Sequence, residues 1–458
     1  MKVLLLNPPY IPQFIRTSRW AAASVSGSNW YPIYLAYCTG LLEKYGHETK
    51  LVDGPVDELS HEDVFAIAQD FSPNITVILV STASLDNDIA ICERLKDLTN
   101  SYIILVGPWC SIYPDQIMGN SAKIDAVAIG EFDYTVLELA KGKAEKAIDG
   151  LIWRDNDNII HNPPRNPLTQ DQLNELPFVT DVYRRHLNIS KYFQMPHLHP
   201  FVDLFTGRGC PWGKCTFCLW PHTINKGTSY RKRDMDNVIE ELNFIKRELP
   251  FVKEVFIQDD TLCNERAKEL STSIIKSGLD ITWSCYCRVD TELETLQIMK
   301  KSGCRLIHVG YESSNQQILN NVMKGTTVKQ MEEFTHNASK VGLLNHADFI
   351  IGLPGETVET IQATVKWAKS LKMDSYQFTV PKVYPETPLH NWLEENDYLK
   401  DGWPNYPLLS IEDMKKWTKW AIRQTNMNPR YLFRMIKKPK EWQRLIRSAR
   451  HVLPKVTR

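Results

Sequence analysis

Nowhere in the 458 residues does an apolar run approach the roughly 18 that a membrane-crossing helix requires. The opening MKVLLLNPPY breaks at Asn7-Pro8-Pro9 after four apolar residues, so it does not read as a secretory signal. Internal repeats and low-complexity tracts are also missing, which sets aside repeat and fibrous architectures. A global excess of charge is absent, since 54 Lys and Arg balance 54 Asp and Glu, and nucleic acid is therefore not an expected partner. That balance hides an asymmetry: from Tyr431 to Arg458, nine Lys or Arg stand against Glu441 alone, a local +8 that leaves −8 over the rest. Ten cysteines without a secretory signal point to a reducing cytoplasm, where clustered thiols bind metal more often than they form disulfides.

What is present is a globular chain, 43% hydrophobic, long enough for two or three domains. Short apolar runs (VLLL at 3–6, TVILVS at 76–81, YIILVG at 102–107, IDAVAIG at 124–130) alternate with helical stretches such as Ile33 to Lys44 and Ile89 to Leu98. This βαβ series predicts a doubly wound α/β domain over residues 1–150, whose ligand edge is formed by the loops after Ser81, Gly107 and Gly130. A hairpin, DGLIWRDNDNIIHNPPR, and a proline-studded linker over 151–197 mark a seam between domains. Six further strand–helix steps over 198–395 predict a parallel sheet curled into a barrel, partial or full, with its chemistry at the carboxyl ends of the strands. Residues 396–458 form a helical, basic tail.

Just after the first of those six strands comes GRGCPWGKCTFCLWPHT, in which Cys210, Cys215 and Cys218 have the spacing C-x4-C-x2-C and His222 follows. Three thiolates and an imidazole complete a structural zinc site. Three thiolates alone could instead hold an iron-sulfur cluster with one iron left open for a ligand. The residues by themselves leave both readings standing.

Downstream motifs bear on the choice. RGCPWGKCTFC, FIQDDTLCNERAKEL, CYCRVDTELETLQIMKKSGC, VGYESSNQQILNNVMKGTT, FIIGLPGETVETIQATVKWAKSL and VYPETPLHNW occur in order. Through them the chain resembles the radical S-adenosylmethionine (SAM) enzymes, which implies a (β/α)6 partial barrel and a 4Fe-4S cluster on Cys210, Cys215 and Cys218. The resemblance also implies that SAM occupies the open iron, so that His222 is not a ligand. Phe217 matches the aromatic beside adenine. Asp259 and Asp260 stand where the methionine ammonium is received, Glu312 where the ribose hydroxyls are held, and Arg288 where the SAM carboxylate finds a partner. GLPGE, at 352–356, shapes a turn near adenine. The family's usual first interval is one residue shorter, with Gly213 beside Trp212 as the extra residue. Cys285 and Cys287 lie on one side of a strand, opposite Arg288, and are expected to pack against helices.

The amino-terminal domain in turn resembles the cobalamin-binding domains of that superfamily, through YPIYLAYCTGLLEKYGHETKLVD, STASLDNDIAICERLK, VGPWCSIYPDQIM and IGEFDYTVLELAKG. The positions carried over are Ser81, Thr82, Gly107, Gly130 and Glu131. No D-x-H-x-x-G occurs, so the lower cobalt-ligating histidine is missing, as it is from the radical methylases. The resemblance implies a cobalamin-dependent radical SAM methyltransferase that acts on an unactivated centre and is fed electrons by a donor such as flavodoxin or ferredoxin. A cyclase or ring-rearranging enzyme with the same cofactors is the alternative. From other classes come an RNA methylthiotransferase, which would draw a second cluster from Cys38, Cys92 and Cys110, and a zinc-stabilised binding module. Trp442, Leu445, Ile446, Ala449 and Leu453 fall opposite Arg444, Arg447 and Arg450 on a helical wheel. This amphipathic tail could lie on the inner face of an anionic membrane and present a lipid-linked substrate, or simply cap the barrel around a small-molecule one.

Overall fold

The computed structural model describes residues 1–17, 21–24, 27–223, 229–429, 431, 433 and 442. The first sheet has seven strands: β1 (Lys2–Asn7), β2 (Glu48–Asp53), β3 (Ile75–Leu79), β4 (Tyr102–Val106), β5 (Ala126–Ala128), β6 (Leu151–Asp155) and β7 (Asn158–His161), in the order β2-β1-β3-β4-β5-β6-β7. The first five are parallel, and their order reverses between β1 and β3, the point at which open sheets of this kind bind ligands. Val3 and Leu5 of β1 enter one hydrophobic cluster while Leu4 and Leu6 enter another, so helices cover both faces. Helices Ile33–Lys44 and Asp133–Ala140 lie on one side, His61–Phe71 and Leu85–Thr99 on the other.

The hairpin expected at the seam belongs to this sheet. Val127 pairs antiparallel with Ile152, and β7 then pairs with β6. The short β5 would otherwise expose an edge of unpaired backbone groups, and the hairpin covers it.

The second sheet contains β8 (Phe201–Leu204), β9 (Glu254–Leu262), β10 (Trp283–Cys287), β11 (Cys304–Glu312), β12 (Leu344–Ile350) and β13 (Ser375–Thr379), all parallel and paired in chain order. β8 and β13 are not paired with each other, so the barrel is a partial one. Cys285, Cys287, Ile307, Val309 and Tyr311 point outward into the core under the helices, as the alternation in the sequence required.

The two units share that core. One continuous cluster runs from Val3 and Leu5 through Leu41, Val182 and Tyr183 to Phe201, Ile257, Ile307 and Phe349. Tyr31 is stacked between Tyr183 and Tyr192, with ring centroids 4.1 and 3.9 Å away, and donates to the Phe201 carbonyl at 2.7 Å. Tyr183 donates to Asp203 of β8 at 2.7 Å. A buried ion cluster adds a polar tie: Arg208 donates to Asp133 at 2.9 Å and to Glu131 at 3.4 Å, and Arg231 donates to Glu131 at 2.7 Å.

Candidate active site

The chain leaves β8 and immediately forms a two-residue ribbon, in which Gly207–Arg208 pairs antiparallel with Arg231–Lys232. Carbonyls at its root are gripped by buried guanidinium groups, Arg233 on Phe205 at 2.8 Å and Arg266 on Thr206 at 2.9 Å. The cysteine loop therefore starts from a fixed base. Its far end is also clamped, since Thr216 N–H donates to the Val322 carbonyl and Leu389 N–H to the Thr216 carbonyl, each at 3.1 Å.

Cys210, Cys215 and Cys218 are all half-buried and none is in a disulfide. A single zinc ion with sulfur ligands at about 2.3 Å would need them within about 4 Å of one another. Among the described residues, only His308, His346 and Asp348 gather ligand atoms within 4.8 Å of one another. Three thiolates carried on one loop also suit a cluster that offers a separate iron to each and keeps a fourth open. The side chain of His222 lies outside the described residues.

The extra residue in the loop has a visible effect. Gly213 takes φ +55°, a left-handed turn beside Trp212. The indole is laid on Gly325, where a Cβ would stand 2.0 Å from the ring, and its Nε1–H donates to the Met323 carbonyl at 2.9 Å. Arg288 stacks 4.9 Å over the same indole and also donates to the Lys324 carbonyl at 3.2 Å. Trp212, beside the extra residue, therefore pins the loop to the turn at Met323–Gly325.

Glu312, at the end of β11, is 5% exposed and carries φ +61°. Ser313 N–H donates back to the Tyr311 carbonyl at 2.8 Å, which makes Glu312 the centre of a γ-turn, a conformation rare for a residue with a side chain. The turn aims its carboxylate at Lys324, whose ammonium donates to it at 2.6 Å, and Gly310 leaves the room they share. Burial works against the Lys324 ammonium, but Glu312 and then Cys215 outweigh it and raise its pKa. Burial likewise raises the Cys215 thiol, while Lys324 pulls it back. Lys324 was not among the residues singled out in the sequence; its only signal there is its place beside Gly325 in VMKG.

Of the two acids at the end of β9, Asp259 is fully buried and accepts from Thr206 N–H and Oγ1 at 2.6 Å, Gly207 N–H at 3.2 Å and Tyr230 Oη at 2.7 Å. Burial raises its carboxyl, and those donors hold it part-way down. Both oxygens serve the base of the cysteine loop. Asp260, one residue on, is half-buried. Phe217 wedges between two small apolar clusters, Ile318, Val322 and Leu353 on one side and Val383, Leu389 and Leu393 on the other. The former includes the leucine of GLPGE, next to Gly352 and its φ of +104°.

At the carboxyl edge of the first sheet, Gly107 has φ +124° and lies so close to β3 that a Cβ would stand 2.9 Å from the Val80 carbonyl. Gly107 and Gly130 line a cavity of about 540 Å3, part of it open to solvent, whose aromatic wall is Trp30, Tyr31, Tyr34, Phe132 and Trp220. Gln258 of the barrel closes it. Ser81 and Thr82 line an adjoining one of about 350 Å3 with Pro108, Trp109 and Tyr384. This glycine-lined, aromatic concavity at a topological switch point fits a large planar cofactor. Glu131 is turned away from it into the ion cluster, where burial works against its charge but Arg208 and Arg231 keep it below the usual carboxylate range. Cys38 lies on one face of the sheet and Cys92 and Cys110 on the other, so they cannot jointly hold a second cluster.

A three-thiolate loop above a partial parallel barrel, facing the ligand edge of a doubly wound domain, defines an iron-sulfur enzyme with a second, corrin-type site. Comparisons agree. Residues 204–368 match the radical SAM superfamily and residues 19–140 the B12 binding domain. The chain is 33% identical over 433 residues to the uncharacterized methyltransferase PH0819 of Pyrococcus horikoshii, covering 92% of this chain and 90% of that protein. It is 27% identical over 410 residues to cytidylyl-2-hydroxyethylphosphonate methyltransferase of Streptomyces wedmorensis, with 76% and 75% covered. It is also 24% identical over 400 residues to the anaerobic magnesium-protoporphyrin IX monomethyl ester cyclase of Rubrivivax gelatinosus, with 84% and 68% covered. Its fold is that of the radical SAM methyltransferase TsrM from Kitasatospora setae, solved with tryptophan and a SAM analogue (TM-score 0.69, 19% identity, 92% and 82% covered). The chain belongs to the cobalamin-dependent radical SAM methyltransferase family.

Proposed function

We propose that the chain methylates an unactivated centre of a small-molecule or lipid-linked substrate lodged between the two strand edges. One observation carries this reading: Leu79, Gly107 and Gly130 of the first domain and Trp220 and Gln258 of the barrel side line the same cavity. When bound, the cluster with SAM supplies hydrogen abstraction and cobalamin supplies the methyl group. The residues do the positioning. Cys210, Cys215 and Cys218 mount the cluster, and Glu312, rigid on its γ-turn, accepts the ribose hydroxyls. Asp260 receives the ammonium, Phe217 lies against adenine, and Arg288 and Lys324 supply the positive charge that a carboxylate needs. The aromatic wall excludes water from the reacting centre.

The test is anaerobic. The protein is reconstituted with iron, sulfide and cobalamin, given SAM and a reductant such as reduced flavodoxin or ferredoxin, and assayed for products. About four irons and one corrin per chain, with both 5'-deoxyadenosine and S-adenosylhomocysteine formed in the presence of substrate, are the expected outcome. Deoxyadenosine without homocysteine would favour the cyclase reading, which the relationship to the protoporphyrin ester cyclase supports.

No described helix is long and apolar enough to cross a membrane. Peripheral attachment is a further part of the proposal, supported by the exposed Leu408, Phe433 and Trp442 and by the +8 tail. The amphipathic stretch from 443 lies outside the described residues. Flotation with anionic vesicles tests it: binding should vanish on deleting Arg444 to Arg458, and unchanged binding would refute it.

A further inference from the structure

The inner face of a parallel barrel is ordinarily filled by branched aliphatic side chains. Here its middle layer carries histidines. On β11 the alternation that sends Ile307, Val309 and Tyr311 outward sends His308 inward, and His308 lies in register with His346 of β12. Their ring centroids are 4.9 Å apart, and the residues are 5% and 4% exposed. Asp348 is two residues beyond His346 and so on the same face, with Oδ1 3.4 Å from His346 Nε2. The other nitrogen of that ring, Nδ1, is 2.6 Å from Ser375 Oγ on β13. One ligand atom from each of His308, His346 and Asp348 lies within 4.8 Å of the other two.

We propose that these three side chains form a divalent transition-metal site of the zinc class, separate from the cysteine loop. Two imidazoles and one carboxylate are a ligand set for such an ion, and their atoms are close enough for bonds of about 2.0–2.2 Å after small side-chain movements. Ser375 acts as the outer partner that fixes the ring and presents Nε2 to the metal. His308 also packs against the rings of His197, Phe256 and Tyr286, at 5.0, 5.2 and 5.1 Å, which hold its imidazole beside that of His346. At about 3.3 Å per residue, the site lies roughly 13 Å below Glu312 along β11. It is therefore placed midway along the strands, beneath the end of the barrel that carries the cysteine loop and Glu312.

Zinc counting on the reconstituted holoenzyme tests this, because the cluster contains iron only. After equilibration with buffered zinc, the expected result is one zinc per chain, with a zinc K-edge absorption spectrum showing nitrogen and oxygen neighbours and no sulfur. The variant His308→Gln/His346→Gln should hold less than one tenth of that zinc with its iron unchanged. Asp348→Asn, which keeps the packing, should bind zinc at least tenfold more weakly. Zinc well below one per chain at saturation, sulfur in its first shell, or zinc unaffected in both variants would overturn the proposal.

Discussion

Replacing Arg208 with Met removes a charge from the centre of the tie between the two domains. Arg208 is 2% exposed, and its guanidinium lies between Asp133 and Glu131 and over the Tyr34 ring, 4.8 Å from its centroid. Methionine fills much of the same apolar space, so the perturbation is chiefly electrostatic. The cluster of two arginines and two carboxylates goes from balanced to a net charge of −1, with Asp133, 0% exposed, left beside no guanidinium among its described contacts. Breaking a buried pair from one side costs about 3–5 kcal/mol. For 458 residues the unfolding entropy is about 1 kcal/mol per kelvin, so Tm should fall by about 3–5 °C. Anaerobic calorimetry measures the shift, and Arg208→Met/Asp133→Leu should recover at least half of it, because the stranded carboxylate is gone. Since Arg208 sits two residues before Cys210, iron per chain should fall in the single variant and return in the double. A single variant melting within 1 °C of the parent, or a double variant as unstable as the sum of its parts, would refute the reasoning.

Three further outcomes are expected. Glu312→Gln should retain about four irons per chain while SAM affinity drops roughly 10- to 100-fold, the size expected when a charged acceptor is lost, as read by equilibrium binding. Gly107→Ala forces a Cβ against the Val80 carbonyl at a φ of +124°, and should cost about 1–3 kcal/mol and lower corrin retention in gel filtration. Burial raises the Asp203 carboxyl to about 7, against the pull of bonds from Tyr183 and Gln258. Because the folded state holds this proton more tightly than the unfolded chain, stability is fully present below about pH 4 and is lost as pH rises toward 7. Asp203→Asn should therefore match the parent near pH 4 and exceed it at pH 8, by up to about 4 kcal/mol, in denaturation midpoints taken across that range.

Periodicity made both parallel sheets legible, because buried strands and amphipathic helices leave different repeats, and motif order located the cysteine loop and Glu312. Pairings between distant segments were another matter. Asp259 and Asp260 are indistinguishable as letters, yet one has both oxygens filled by Thr206, Gly207 and Tyr230. Glu131 ends a strand in the expected ligand edge, but Arg208 and Arg231, some eighty and a hundred residues later, draw it into an ion cluster. The hairpin at Leu151–His161 has a turn signal of its own, whereas its attachment to β5 depends on which edge lay open. Lys324 lies within the quoted VGYESSNQQILNNVMKGTT, but its pairing with Glu312 depends on a γ-turn whose geometry is invisible until the backbone is traced. His308 and His346 lie in separate segments, and only the register of β11 on β12 sets them side by side.

The shared core has a consequence for traffic through the enzyme. Because one unbroken body of apolar side chains runs from β1 to β12, swinging the domains apart would mean exposing it to water, so the enzyme behaves as a single casting rather than as a clamshell. Both cavities take part of their lining from outside the two sheets, Trp30 and Tyr31 just ahead of helix Ile33–Lys44 in one and Tyr384 in the other. Those lining residues can change without disturbing the shared core, so the casting can stay the same while the shape of the space it encloses is altered.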